Sequence, residues 1–189
     1  SISRWSLPSL TKLQEHTIGN ASGSIGAYFA VSRDATVCLF KGTVDGQEVL
    51  QALDLSTGEM LWRSKIPAHL VSAIAISPDG KRAFTGSCVA NGDIHVWDVA
   101  HGEHLGTLKG HDIWISKLIA HPDGKTLLSA SADQTIRIWD LESYQSKRTL
   151  RGHQLEIWDM ALSPDARTLV SGGKDGTVLV WDLSKPSRL

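Results

Sequence analysis

The sequence predicts an all-β repeat protein, on three observations. A His, a Pro-Asp pair and a Trp-Asp pair recur in fixed order: His69…Pro78-Asp79…Trp97-Asp98, His111…Pro122-Asp123…Trp139-Asp140 and His153…Pro164-Asp165…Trp181-Asp182. The three His stand 42 residues apart, as do the three Trp, and each Trp follows its His by 28. A fixed period of about 40–45 residues marks a repeat architecture. Short apolar or alternating runs also come at intervals of about 8–12 residues, joined by Pro-Asp-Gly and Asp-Gly turn signals. Finally, no stretch carries the spacing of an amphipathic helix.

Taken in order, residues 1–16 read as the end strands of a repeat unit, with Trp5 near the end of one strand and Ser6 in place of Asp. Residues 17–66 read as a degenerate unit that opens on a Gly- and Ser-rich insertion, Gly19 to Gly26. Its β-branched and apolar run Thr36 to Phe40 suits a buried strand, and Leu53-Asp54 stands where Trp-Asp is expected. Residues 67–109 form the first full copy. Its strands fall at 71–76, 83–85, 93–97 and 104–108, with a tight turn at Ser77-Pro78-Asp79-Gly80. Residues 110–151 repeat it, and Thr135 to Asp140 alternates as a half-buried strand should. Residues 152–189 repeat it without a fourth strand, and Ser184 to Ser187 reads as a linker or an end. The third strand of this last copy, Thr177 to Asp182, is apolar throughout, the pattern of a strand buried on both faces.

Composition bounds the function. The chain has 189 residues, 41% apolar and 21% charged, with net charge −1. That is enough apolar material for a core, and it offers no basic excess for phosphates, so nucleic acid is not an expected partner. No apolar run approaches the roughly 18 residues of a membrane span, so no membrane is expected either. Cys38 and Cys88 are too few for a disulfide framework, and both are expected to be small buried hydrophobes in a reducing, cytoplasmic setting.

The three registered copies resemble the WD-repeat family of β-propellers. The resemblance is strong over residues 67–189 and weak over 1–66. It implies four-stranded antiparallel blades around a central channel. It also implies one hydrogen-bonded tetrad per blade: His111, Ser129, Asp133 and Trp139 in one, His153, Ser171, Asp175 and Trp181 in the next. In the earlier copy His69, Thr85 and Trp97 match, but Asn91 falls at the Asp position, with Asp93 nearby. A buried imidazole and a buried indole N–H each need a partner, which gives the set a structural reason.

His, Ser and Asp together are also the residue types of a catalytic triad. Because the set recurs beside a Trp in the next copy, it is read as an internal fold bond, and no catalytic residue is expected. His69, His111 and His153 would lie in different blades, so neither a metal nor a cofactor is expected. Trp114 and Trp158 lie outside the signature. The resemblance implies that their offsets from His111 and His153 place side chains on the rim where partners dock. Ser116 and Glu156 follow from the same offsets, and Lys174 precedes Asp175. These five are candidate partner-binding residues; the alternative is that the Trp fill the space between blades.

The copies add up to about four blades, fewer than WD-repeat rings usually hold. The chain is therefore expected to be part of a longer propeller, with further blades from the rest of the polypeptide, or half of a ring shared with a second copy. The expected function is a non-catalytic protein–protein interaction scaffold within a larger regulatory or signalling protein, binding a protein or peptide on a propeller face. The alternative is a quinoprotein-like, cofactor-binding or enzymatic propeller, suggested by the stretch from Ala52 to Trp62.

Overall fold

The computed structural model describes residues 2–6, 11–16, 28–44, 47–67, 71–89 and 91–185. The Gly19 to Gly26 insertion, the Asp45-Gly46 turn, His69 and residues 186–189 lie outside the described residues. Among the described residues there is no helix; every regular element is a strand. Strands β1 (Ile2–Ser6) and β2 (Thr11–His16) pair antiparallel as a two-stranded sheet. The first blade orders β3 (Phe29–Val31), β4 (Val37–Val44), β5 (Gln47–Asp54) and β6 (Met60–Pro67). The second has β7 (Val71–Ile76), β8 (Arg82–Ser87), β9 (Ile94–Asp98) and β10 (His104–Leu108). The third has β11 (Ile115–Ala120), β12 (Thr126–Ser131), β13 (Thr135–Asp140) and β14 (Ser146–Arg151). The fourth has three strands, β15 (Ile157–Leu162), β16 (Thr168–Gly173) and β17 (Val178–Asp182). All neighbours are antiparallel, and within each sheet each strand pairs with the next in sequence.

The meander follows from the turns. In each blade a Ser or His before the turn accepts the amide of the residue three further on: Gly80 to Ser77 at 2.9 Å, Gly124 to His121 at 3.0 Å, and Ala166 to Ser163 at 2.8 Å. The turn Asp caps the next amides, as Asp123 Oδ1 does for Lys125 at 2.8 Å and Thr126 at 2.9 Å. The residue after the Asp adopts a left-handed conformation. Gly80 and Gly124 do so freely at φ 70° and 67°, whereas Ala35 and Ala166 hold φ 56° and 59° against the clash of their Cβ.

Blades stack through one repeated arrangement. The innermost strands β3, β7, β11 and β15 pack each against the next. Each blade presents an apolar face forward onto the back of its successor. Phe84, Ile94 and Val96 of the second blade meet Ile115, Leu118, Leu127 and Trp139 of the third. Leu128, Ile136 and Ile138 of the third meet Ile157, Met160 and Leu169 of the fourth. Fully burying such side chains stabilises by about 1.5–3 kcal/mol each. A polar clasp accompanies the stacking. The carbonyl of the residue that follows each Trp-Asp pair accepts a hydrogen bond from the preceding blade. Trp62 Nε1 reaches Val99 at 2.6 Å, Arg82 Nη1 reaches Leu141 at 3.1 Å, and Arg148 Nη1 reaches Leu183 at 3.3 Å.

Two expectations need correction. The third strand of the last copy is not buried on both faces: Val178 and Val180 are 68% and 70% exposed. Among the described residues no further blade lies on their side, so their apolar pattern meets solvent. Cys38 is buried on β4, and burial pushes its thiol up to about 11. Cys88, however, is exposed. It lies beyond β8 in a turn two residues longer than its counterpart, where the chain has left the sheet and its apolar neighbours no longer predict burial.

Candidate functional site

In the third blade, β12 supplies Ser129, β13 supplies Trp139, and the segments before β11 and after β12 supply His111 and Asp133. Trp139 Nε1–H donates to Ser129 Oγ at 2.7 Å. The Ser129 hydroxyl then donates to His111 Nε2, also at 2.7 Å. His111 Nδ1–H donates to Asp133 Oδ2 at 2.7 Å. This assignment gives every ring nitrogen one role and fixes the imidazole tautomer from the network. Asp133 Oδ1 takes the Thr135 amide at 2.9 Å and hydroxyl at 2.6 Å. Burial pushes the Asp133 carboxyl up. The His111 ring, the Thr135 hydroxyl and the Thr135 amide together outweigh it and hold the acid well below the usual carboxylate range.

The fourth blade repeats the relay. Trp181 Nε1 reaches Ser171 Oγ at 2.8 Å, Ser171 Oγ reaches His153 Nε2 at 2.8 Å, and His153 Nδ1 reaches Asp175 Oδ2 at 3.0 Å. The Thr177 hydroxyl and the Gln154 and Thr177 amides hold the Asp175 carboxyl well below the usual carboxylate range. In the second blade Trp97 Nε1 donates to Thr85 Oγ1 at 2.9 Å, while Asn91 Nδ2 donates to Asp93 Oδ2 at 2.9 Å. As a triad the third-blade set is unsuited to attack on a substrate. Ser129 is fully buried, and its oxygen is already engaged by Trp139 and His111.

Each relay ties down the residue after its His, the Asp112 amide donating to Asp133 Oδ2 at 3.3 Å and the Gln154 amide to Asp175 Oδ2 at 2.8 Å, and neighbouring backbone bonds hold the adjoining loops. Ser131 Oγ donates to the Trp114 carbonyl at 3.0 Å, and the Ala132 amide reaches the same oxygen at 3.0 Å. The Lys174 amide meets the Glu156 carbonyl in the same way at 2.8 Å. Trp114 and Glu156 thus occupy one repeat position, and Ser116 and Trp158 another. Side chains of Glu156 and Lys174 form an ion pair at 2.9 Å. Trp114 is half-buried. Ser116 is half-buried too, and among the described residues its hydroxyl has no partner. Trp158 is 58% exposed. Its counterpart in the second blade, Ser72, donates to the Ile115 carbonyl of the following blade at 2.5 Å, so Trp158 stands where a next blade would begin.

Three exposed apolar side chains beside these loops escape sequence reasoning: Val89, Ile113 and Leu155. Ile113 and Leu155 each lie two residues after the signature His, a recurrence that could have flagged them. Lys117 and Asp159, at equivalent positions of β11 and β15, pair across blades at 2.9 Å.

Sheets that stack through one repeated apolar face, one carbonyl clasp and one buried His–Ser–Trp relay define the blade-repeat class, as in β-propellers. Comparison with known proteins agrees. The family described as WD domain, G-beta repeat matches residues 62–98, 102–140 and 144–182, and the chain belongs to that family. Among similar proteins, nuclear distribution protein PAC1-2 of Uncinocarpus reesii is 60% identical over 42 residues, 22% of this chain and 9% of that protein. The periodic tryptophan protein 2 homolog of Neurospora crassa is 41% identical over 64 residues, 34% of this chain and 7% of that protein. Lissencephaly-1 homolog 1 of Paramecium tetraurelia is 44% identical over 43 residues, 23% of this chain and 11% of that protein. The chain therefore matches about a tenth of the length of these relatives. Among the described residues no helix is long and apolar enough to cross a membrane.

Proposed function

We propose that this chain is a non-catalytic interaction scaffold that binds a protein or peptide on the rim carrying Ile113, Trp114, Ser116, Leu155, Glu156 and Lys174. The observation that carries the reading is a recurring exposed apolar position. Exposed apolar side chains recur at Ile113 and Leu155, beside the Glu156–Lys174 pair, on loops fixed by buried relays. Apolar anchors next to charge, on a rigid frame, suit protein recognition. Membership of the WD-repeat family supports a scaffold role. The net charge of −1 supports a protein rather than a nucleic acid as partner. The setting we propose is cytoplasmic, within a larger regulatory or signalling protein. A further blade, from the rest of the polypeptide or a second copy, would cover Trp158, Val178 and Val180. The scaffold reading is preferred to the cofactor-binding alternative because Ala52, Leu53 and Leu55 are buried in the core and Trp62 donates to the Val99 carbonyl, which is a packing role.

The test is affinity capture from the native source with the wild type and two variants. Leu155→Glu with Lys174→Glu should remove specific partners, while Lys81→Glu, on the Pro-Asp turn side of the blades, should retain them. Equal capture by both variants, with near-UV circular dichroism unchanged, would remove the rim from the account.

A further inference from the structure

The second blade carries a pair of imidazoles that the fold does not explain. His95 lies on β9 and His104 on β10, nine residues apart across a turn. In the regular register Thr107 faces His95 directly. Thr107 lies three positions after His104, so in an unbroken strand the two would point to opposite sides. The ladder is instead interrupted between His104 and Gly106, and Leu105 is the extra residue. The bulge sets His104 opposite Trp97, on the same face as His95 and Thr107.

The outcome is a small triangle of donor atoms. His95 Nδ1 and His104 Nε2 stand 3.2 Å apart. Thr107 Oγ1 is 3.3 Å from each. Ligand atoms about 2.0–2.1 Å from a tetrahedral ion are separated by about 3.3 Å, so the triangle has the dimensions of one face of such a site. Both rings are also held in place. They lie against the indole of Trp97, with centroids 6.1 and 5.2 Å away, and that indole is tied to Thr85. The equivalent positions are Arg137 and Ser146 in the third blade, and Leu179 matches His95 in the fourth. The repeat therefore requires neither imidazole, although Thr149 keeps the place of Thr107.

We infer that His95 and His104, with Thr107 or a water as an oxygen donor, form a surface site for a divalent late first-row transition ion, zinc or copper(II). Two imidazole nitrogens suit these ions and not magnesium or calcium, which take oxygen cages. Without a metal, one nitrogen of the facing pair must carry a proton so that it can donate to the other. Binding requires that proton to move, through solvent, to the other nitrogen of the same ring, so both imidazoles ligate as neutral rings and no net proton is released. The remaining coordination positions open to solvent, because His104 is exposed.

The test titrates the full 189-residue chain separately with zinc chloride, copper sulfate and magnesium chloride by calorimetry. Electron paramagnetic resonance of the copper sample then reads the ligand atoms. One equivalent of copper(II) should show coupling to two nitrogens. His95→Gln and His104→Gln should each weaken copper binding by at least about tenfold. Zinc should compete for the same site, whereas magnesium should show no heat. If zinc fails to displace copper but the two-nitrogen signal holds, the site is a copper site. As a measurement that needs no variant, copper should broaden the ring signals of His95 and His104 in the wild-type NMR spectrum before those of His101 or His121. Unchanged affinity in both folded variants, or broadening that spares these two rings, overturns the site.

Discussion

The third and fourth blades carry one pattern in two environments. Ile136 and Ile138 on β13 correspond to Val178 and Val180 on β17, and both pairs flank a buried relay. The first pair is 0% and 8% exposed, the second 68% and 70%. Local sequence does not separate them, since all four are β-branched and apolar. What differs is the neighbour. Ile157, Met160 and Leu169 cover the third blade, and among the described residues no blade covers the fourth. In a stacked repeat, burial is a property of the interface between units, and each unit's stability depends on the next.

The comparison can be broken most directly at those side chains. Ile136→Ala should cost about 2–5 kcal/mol in denaturant unfolding, because it leaves a cavity against the fourth blade. Val178→Ala should stay within about 0.5 kcal/mol, as an exposed substitution does. Equal losses would mean that β17 is covered in solution.

A smaller contrast is expected in the relays. Ser129→Ala strands the Trp139 N–H and a His111 nitrogen, both buried, and should cost about 2–3 kcal/mol. Ser171→Ala breaks the same bonds, but Trp181 is only partly buried and can turn to water. Its cost should be roughly half as large. Thermal unfolding of the two variants side by side checks the ratio, and a larger loss for Ser171→Ala would reverse the reading.

The smallest effect concerns pH. The folded Asp133 carboxyl titrates below the usual carboxylate range, so its stabilisation is complete above about pH 4, where the unfolded chain's acid is also ionised. As pH falls below that value, the unfolded chain takes up a proton that the folded one refuses, and stability drops. Asp133→Asn should therefore be less stable than wild type by about 1–2 kcal/mol at pH 7. The gap should narrow between pH 5 and pH 3. A gap constant across that range would show that the His111–Asp133 bond does not depend on the charge of the acid.

The repeat period and the strands were legible in the sequence because fixed spacing and turn chemistry encode them, while the relay residues came from the family resemblance. Asp133, His111, Ser129 and Trp139, named through the family resemblance, each lie within hydrogen-bond distance of the next. Exposure was not legible. Cys88 and Val180 have apolar neighbours in the chain, but solvent reaches them because the turn is widened in one case and the next blade is missing from the described residues in the other. Trp114 and Trp158 look like a pair in sequence, yet they occupy different repeat positions, one bound to the loop behind it and the other facing beyond the last sheet. Nor was the meeting of His95 with His104 visible, because the bulge that aligns them falls at Leu105, which carries no turn signal.

Amide hydrogen exchange tests the contrast between the blades most directly. At low protein concentration, amides of β17 at Val178 and Val180 should exchange at least about tenfold faster than those of β13 at Ile136 and Ile138. Equal protection of the two strands would contradict the claim that the described residues leave the fourth blade's forward face uncovered.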